Sequence, residues 1–340
     1  MATMRDVAER ADVSIATVSH VINETRPVSV ELKARVLEAM QVLGYQPNLV
    51  ARGLRRGETH TIGLIASDIA DPFFAEMARC IEDAGFEQGY SVILCNSDRR
   101  RDKELFYAKL LAEKQVDGVL FGTVGTSTES IRFLQRAKIP VVVIDRAVSD
   151  VQVDMVLVDN IQGGALATQH LIELGHRRIG HITGNTEVAP FAERLEGYRQ
   201  ALGKAGLPWD DDLVVPGSAR LDGGGQAAHD LLALPDPPTA IFGCIDLLTL
   251  GVIREAASLK IDIPNQLSVI GFDDIALASM LTPPLTTVAQ PKQEMGRLAT
   301  EMLLERIRDP GRMARRQVLD VALKVRGSTA PVPNRVSSAQ

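Results

Sequence analysis

Two spacings divide the chain. In the first 45 residues apolar positions recur three and four apart, the helical period, whereas beyond residue 60 they gather in short runs separated by amphipathic stretches. Val7, Ala8 and Ala11 share one face of a first short helix, with Arg5, Asp6, Glu9 and Arg10 on the other. Asp12-Val13-Ser14 breaks the pattern, and Ser14 suits the cap of a second helix whose Val18, Val21 and Ile22 point inward. Ser29 suits the cap of a third helix, with Val36, Met40 and Leu43 closing a small core. Past residue 60, apolar runs at 61–66, 91–95, 118–122 and 140–145 alternate with helical stretches, which predicts a parallel α/β layer. The alternation restarts at 178–183, 239–243 and 267–273, so the expected fold is α/β, with two similar doubly wound lobes and a cleft between them.

The outward face of the second helix is unusual. Ile15 and Ala16 expose apolar groups at its start, a cost in water that becomes useful where a recognition helix meets thymine methyls in the major groove. Ser14, Ile15, Ala16, Thr17, Ser19, His20 and Asn23 are therefore candidates for DNA contact, although a solvated surface histidine is the plainer reading of His20 taken alone. After Pro47, Asn48 can cap a short apolar stripe of Val50, Ala51 and Leu54 flanked by Arg52, Arg55 and Arg56. The segment is too short to hold a helix in water, and Gly53 adds about 1 kcal/mol of helix cost. Folding on DNA resolves this, and Asn48, Ala51, Arg52, Leu54 and Arg55 join the contact candidates.

Charge supports that division. The whole chain sums to −6, yet residues 1–60 hold eight Lys/Arg against seven Asp/Glu, a net +1 that leaves −7 for the remainder. An acidic distal part does not oppose DNA binding by a non-acidic contact surface, because attraction follows local charge. The three isolated cysteines, Cys80, Cys95 and Cys244, argue against a disulfide frame and for a reducing cytoplasm. No signal peptide or membrane span is expected, hence no membrane partner.

The runs Met4–Ala8 and Thr17–Asn23, with Gly44-Tyr45-Gln46-Pro47-Asn48, resemble the LacI/GalR family of transcriptional regulators. The likeness continues through Asp71-Pro72-Phe73-Phe74, Val116-Asp117-Gly118, Arg194-Leu195-Glu196-Gly197-Tyr198, Val269-Ile270-Gly271-Phe272-Asp273-Asp274 and Pro284-Leu285-Thr286-Thr287-Val288. Within the family it is most similar to the ribose and purine repressors, and more to the ribose branch through 91–96 and 282–287. The resemblance implies a three-helix headpiece over 1–46, a hinge over 47–57, a two-lobed sensor of the type I periplasmic-binding-protein kind over 58–330, and a tail over 331–340. The first lobe would comprise about 60–159 and 291–317, the second about 160–288 and 318–330, with the chain crossing near 158–161, 288–291 and 317–321. It also implies a homodimer on near-palindromic double-stranded operator DNA, Leu54 entering the minor groove, and a small-molecule effector in the cleft. The Pro- and Ser-rich stretch 328–340 lacks leucine heptads, so no terminal coiled coil is expected.

Ligands of open α/β sheets collect beyond the carboxyl ends of strands, where Asp145, Arg146 and Asp273 fall. Each Asp could instead cap a following helix, Arg194 could be a solvated helix arginine, and Phe73 and Phe74 could be plain core. By resemblance, Asp71, Phe73, Phe74, Asp145, Arg146, Arg194, Asp273 and Gln290 line the effector cleft, with Ala219 and Ile245 where relatives often carry an aromatic ring and an asparagine. Asp71 likewise replaces a frequent asparagine. These departures imply a pentose-like sugar, a substituted sugar or a sugar acid, the last suited to Arg146 and Arg194. Gly223-Gly224-Gly225 reads as a turn into a helix, because no Lys-Ser/Thr pair follows it as in a phosphate loop. His170, His176 and His181 lack metal-site spacing and read as structural, Asp273-Asp274 reads as ligand contact plus cap, and no nucleophile can be tied to a base. Catalysis, a metal and a cofactor are therefore not expected. An exported sugar carrier would have no use for residues 1–56.

Overall fold

The computed structural model describes residues 2–23, 26–45, 58–122 and 127–332. The chain divides into two compact units, Met1–Thr59 and His60–Gln340. The candidates Asn48, Ala51, Arg52, Leu54 and Arg55 lie outside the described residues.

In the first unit, helix α1 (Met4–Ala11) starts on a reciprocal cap that the periodicity did not reveal: Thr3 Oγ1 accepts the Asp6 N–H at 3.3 Å, and the Asp6 carboxylate accepts the Thr3 N–H at 2.7 Å. Helix α2 (Ile15–Asn23) is capped by Ser14, whose hydroxyl accepts the Thr17 N–H at 3.0 Å. Helix α3 (Val30–Leu43) begins at Ser29 and stops at Gly44, whose φ of 58° favours glycine. Val7, Ala8, Ala11, Val18, Val21, Val36 and Ala39 form the core, with Met40 and Leu43 half-buried at its rim. Arg35 donates to the Ala11 and Asp12 carbonyls and ties α3 to the turn.

The second unit holds two six-stranded sheets. The first runs β2 (Ser91–Asn96), β1 (Thr61–Ala66), β3 (Gly118–Gly122), β4 (Val141–Ile144), β5 (Asp154–Val158) and β11 (Arg316–Leu319), all parallel. The second runs β7 (Val214–Pro216), β6 (Ile179–Thr183), β8 (Ala240–Gly243), β9 (Ser268–Asp273), β10 (Thr286–Ala289) and β12 (Ala322–Lys324), with only β12 antiparallel to its neighbour. Central strands such as β3 and β4 are buried throughout, as sheets covered on both faces require. The chain passes from one sheet to the other after β5, after β10 and again after β11, so neither lobe is one continuous segment.

The lobes carry the helices α4 (Pro72–Glu87), α5 (Arg101–Glu113), α6 (Glu129–Arg136), α7 (Asn160–Glu173), α8 (Ala189–Lys204), α9 (Leu221–Leu232), α10 (Asp246–Ser258) and α11 (Lys292–Arg308). In the second lobe, two helix pairs touch through glycine. A Cβ at Gly197 on α8 would meet the Ile161 carbonyl, and one at Gly224 on α9 would meet the Leu248 carbonyl. Gly223, Gly224 and Gly225 thus stand inside α9 and not in a turn before it. Gly197→Ala is expected to cost at least about 1–3 kcal/mol through overpacking, read as a lower urea midpoint with unchanged slope.

Residues 328–332 are not a loose extension. The Ser328 hydroxyl donates to the Val269 carbonyl at 2.6 Å and accepts the Thr286 N–H at 2.8 Å, and the Val332 N–H reaches Leu174. His176 bonds Thr239 and Ala330, His170 bonds Thr329, and His181 packs on Tyr198 with its Nδ1 at the Phe242 carbonyl. Burial drives the His181 pKa down to about 3, so it stays neutral and structural.

Candidate functional site

On α2, Ile15 and Ala16 are exposed, Ile15 by 50%, while Thr17, Ser19 and His20 are half-buried. Asn23 is the last residue of the helix. The Ser14 and Thr17 hydroxyls stand 2.9 Å apart, which places two polar groups beside the exposed apolar turn. The alternation of these residues with the buried Val18 and Val21 gives one face to the core and the other to solvent.

In the second unit, a cavity of about 300 Å³ lies at the carboxyl ends of strands from both sheets. All ten residues singled out for the cleft line it: Asp71, Phe73, Phe74, Asp145, Arg146, Arg194, Ala219, Ile245, Asp273 and Gln290. Asp71 does two things at once. It caps α4 by accepting the Phe73 N–H at 3.1 Å, and it borders the cavity beside Arg99, which reaches Asp68 and Asp71 at 3.3 Å each. Phe73 and Phe74 meet edge to face, their centroids 5.2 Å apart. Asp145, at φ 73°, caps no helix. Asp274 is not a cap either: its carboxylate pairs with Arg326 at 2.5 Å.

Arg194 is 2% exposed and far from a solvated helix arginine. Its Nε donates to Asn160 at 2.9 Å, its Nη1 donates to the Cys244 carbonyl at 2.7 Å and lies 3.6 Å from Asp273, and its guanidinium sits 3.7 Å over the Phe272 ring. Asp273 in turn accepts the Gln290 amide at 2.7 Å, while Gln290 Oε1 is buried and has no hydrogen-bond partner among the described residues.

Burial dominates the electrostatics. It lifts the Asp71 carboxyl to about 6 against the opposing pull of Arg99, and it raises Asp145 and Asp273 against Arg194. Burial also lowers Arg146, an effect that Asp145 opposes. Next in the chain to the cavity-lining Ile245, Asp246 accepts the Thr287 hydroxyl at 2.7 Å and the Ile275 N–H at 2.9 Å, and burial lifts it to about 7. The wall thus presents carboxyl acceptors, arginine donors and aromatic faces, a combination suited to a small polyol.

Arg99, Asn185, Glu187, Phe191 and Ser218 also line the cavity and were not anticipated. Arg99, Asn185 and Ser218 follow β2, β6 and β7, so the strand-end rule reaches them once those strands are placed. Among the described residues no group of three His, Cys, Asp or Glu is placed to hold a metal ion, and no helix is long and apolar enough to cross a membrane.

A helical unit with an outward apolar turn, joined in one chain to a two-lobed cavity-bearing sensor, defines a DNA-binding transcriptional regulator controlled by a ligand. Residues 3–48 match the family described as bacterial regulatory proteins, lacI family, and residues 59–325 match periplasmic binding proteins and the sugar-binding domain of the LacI family. The chain belongs to the LacI family. It is 42% identical over 329 residues to the ribose operon repressor of Escherichia coli (strain K12), covering 96% of this chain and 100% of that one. Among solved structures it is similar to a LacI family transcriptional regulator from Enterococcus faecium with bound ribose, at TM-score 0.74, 34% identity, and 80% and 100% coverage. It is also similar to the lac repressor dimer bound to operator and an anti-inducer, at TM-score 0.87, 26% identity, and 97% and 99% coverage.

Proposed function

We propose that this chain is a cytoplasmic repressor that binds a near-palindromic operator as a homodimer and changes its operator affinity when a pentose-like sugar fills the cavity. Residues 1–46 are assigned to DNA recognition, 47–57 to the hinge, 58–330 to sensing and dimerisation, and 331–340 to the tail. The observation that carries the reading is the convergence of Asp71, Asp145, Arg146, Arg194, Asp273 and Gln290, from both sheets, on one cavity of about 300 Å³. That volume is at the small end of the range for small-molecule pockets, about 300–1,000 Å³. Its charges are matched: Arg99 faces Asp71, and Arg194 faces Asp273. Charge matching favours a neutral polyol over a sugar acid, because an added anion would compete with carboxylates already in place. The ribose named for the similar Enterococcus faecium regulator and for the Escherichia coli relative supports a pentose.

On the DNA side, Ser14, Ile15, Ala16, Thr17, Ser19, His20 and Asn23 are assigned to the major groove. No catalysis is assigned. The test is a thermal-shift screen of the full chain with pentoses, hexoses, sugar acids and purines, followed by gel shifts with operator fragments. A pentose at a hundred times its Kd is expected to add about 2.7 kcal/mol and to change operator affinity, and to be recovered chemically unchanged. A shift with purines or sugar acids and none with pentoses overturns the assignment.

A further inference from the structure

A second set of contacts joins the two lobes at the segment that follows β9. Asp273 and Asp274 stand at φ 120° and 53°, a side of backbone space that residues bearing a Cβ rarely adopt. The first lobe holds this segment. Glu76, on α4, accepts the Ala276 N–H at 2.7 Å. Lys292, the first residue of α11, donates to the Asp273 carbonyl at 2.8 Å and the Asp274 carbonyl at 2.5 Å. Lys292 and Glu76 also pair with each other at 3.1 Å, the lysine side chain only 13% exposed. Asp273 therefore faces two ways: its carboxyl meets Arg194 and Gln290 at the cavity, and its carbonyl meets Lys292 from the opposite lobe.

We propose that Lys292 and Glu76 are positioning residues of the sensor, holding the backbone of 273–276 so that the Asp273 carboxyl is aimed into the cavity and its aim depends on where the first lobe sits. The role in ligand response rests on the reading of the cavity as an effector site. The physical argument is that a strained backbone keeps its course only when its surroundings over-determine it. Here three of the determining hydrogen bonds come from the other lobe. A ligand that binds Asp273 in one lobe arrangement better than in another then shifts the arrangement, and the coupling is reciprocal. A further charged contact between the lobes, Arg220 with Asp98 at 3.8 Å, is solvent-exposed and adds little.

The experiment uses the full chain with Lys292→Met, Lys292→Arg and Glu76→Gln. Amide hydrogen exchange of the 273–280 region is followed without ligand, and D-ribose binding is measured by titration calorimetry. In Lys292→Met the region is expected to exchange about tenfold faster while β9 and α10 keep their protection, with D-ribose binding about tenfold weaker. Lys292→Arg restores both, and Glu76→Gln accelerates exchange most at Ala276. Unchanged exchange in both Lys292→Met and Glu76→Gln overturns the proposal, as does acceleration spread over the whole lobe. Faster exchange with unaltered ribose affinity overturns the link to the cavity. If the wild type binds no D-ribose, the pentose reading fails, and the exchange comparison still decides whether the clamp exists.

Discussion

Arg194→Ala is expected to abolish the sugar response and to remove about 3–5 kcal/mol from the stability of the sensor. The side chain is buried against Asn160, the Cys244 carbonyl, Asp273 and the Phe272 ring, so truncation leaves a buried carboxyl and a buried amide short of partners. Loss of ligand response through Arg194 is therefore inseparable from loss of structure, whereas Asp273→Asn separates the two. Its amide oxygen can still accept from Gln290, and it removes a carboxylate held under a desolvation penalty. The sensor of Asp273→Asn should unfold at a urea midpoint near or above that of the wild type while the thermal shift with pentose disappears. The Arg194→Ala sensor should unfold earlier, with the α1–α3 unit keeping its own transition, since its core of Val7, Val18 and Val36 is separate. A full sugar response in either variant would remove the pair from the binding site.

The second large effect concerns pH. Burial raises Asp71 from 3.8 to about 6 in the folded chain. Its proton-linked contribution to stability is complete below the unfolded value and is lost as pH rises through about 6, the reverse of the usual carboxylate. At about 1.4 kcal/mol per unit, the two-unit lift corresponds to about 3 kcal/mol. Asp71→Asn keeps the α4 cap and removes the ionisation. It should stabilise the sensor by up to about 3 kcal/mol at pH 8 and by little at pH 4, the opposing pull of Arg99 being already contained in that lift. Asp246, lifted to about 7, adds to the same trend. Urea titrations of wild type and variant at pH 4, 6 and 8 check it. A difference that is flat across this range would mean that Asp71 titrates as an ordinary surface carboxylate.

Much of this was legible in the sequence, for reasons that differ by element. The seams Val7-Ala8-Ala11 and Val18-Val21 declare themselves because a short helix can bury only one narrow face. Interior strands such as Val141–Ile144 are apolar throughout, since helices cover both sides of the sheet. The strands β7, β11 and β12 do not stand out as apolar runs because they are short edge strands with exposed positions, and β5 and β10 carry polar residues, Asp154 in one and Thr286 and Thr287 in the other. All ten cleft candidates reach the cavity because the strand-end rule and the family likeness select the same places. Two readings failed where a partner distant in sequence decides the outcome: Gly224 is needed by the close approach of the Leu248 carbonyl, and Asp274 is claimed by Arg326. No local period carries such information.

The interleaving of the two sheets also sets an order of assembly on the ribosome. The last strand of the first sheet ends at Leu319 and the last of the second at Lys324, so both sheets stay incomplete until synthesis has passed those residues. Helices α1–α3, by contrast, are all present once Leu43 has been made. A nascent chain therefore holds a finished DNA-reading element long before it has a cavity with which to regulate it, and a message cut short near residue 310 would leave an open edge on each sheet. Such a fragment would be prone to edge-to-edge association and would carry its DNA-reading element without a working sensor.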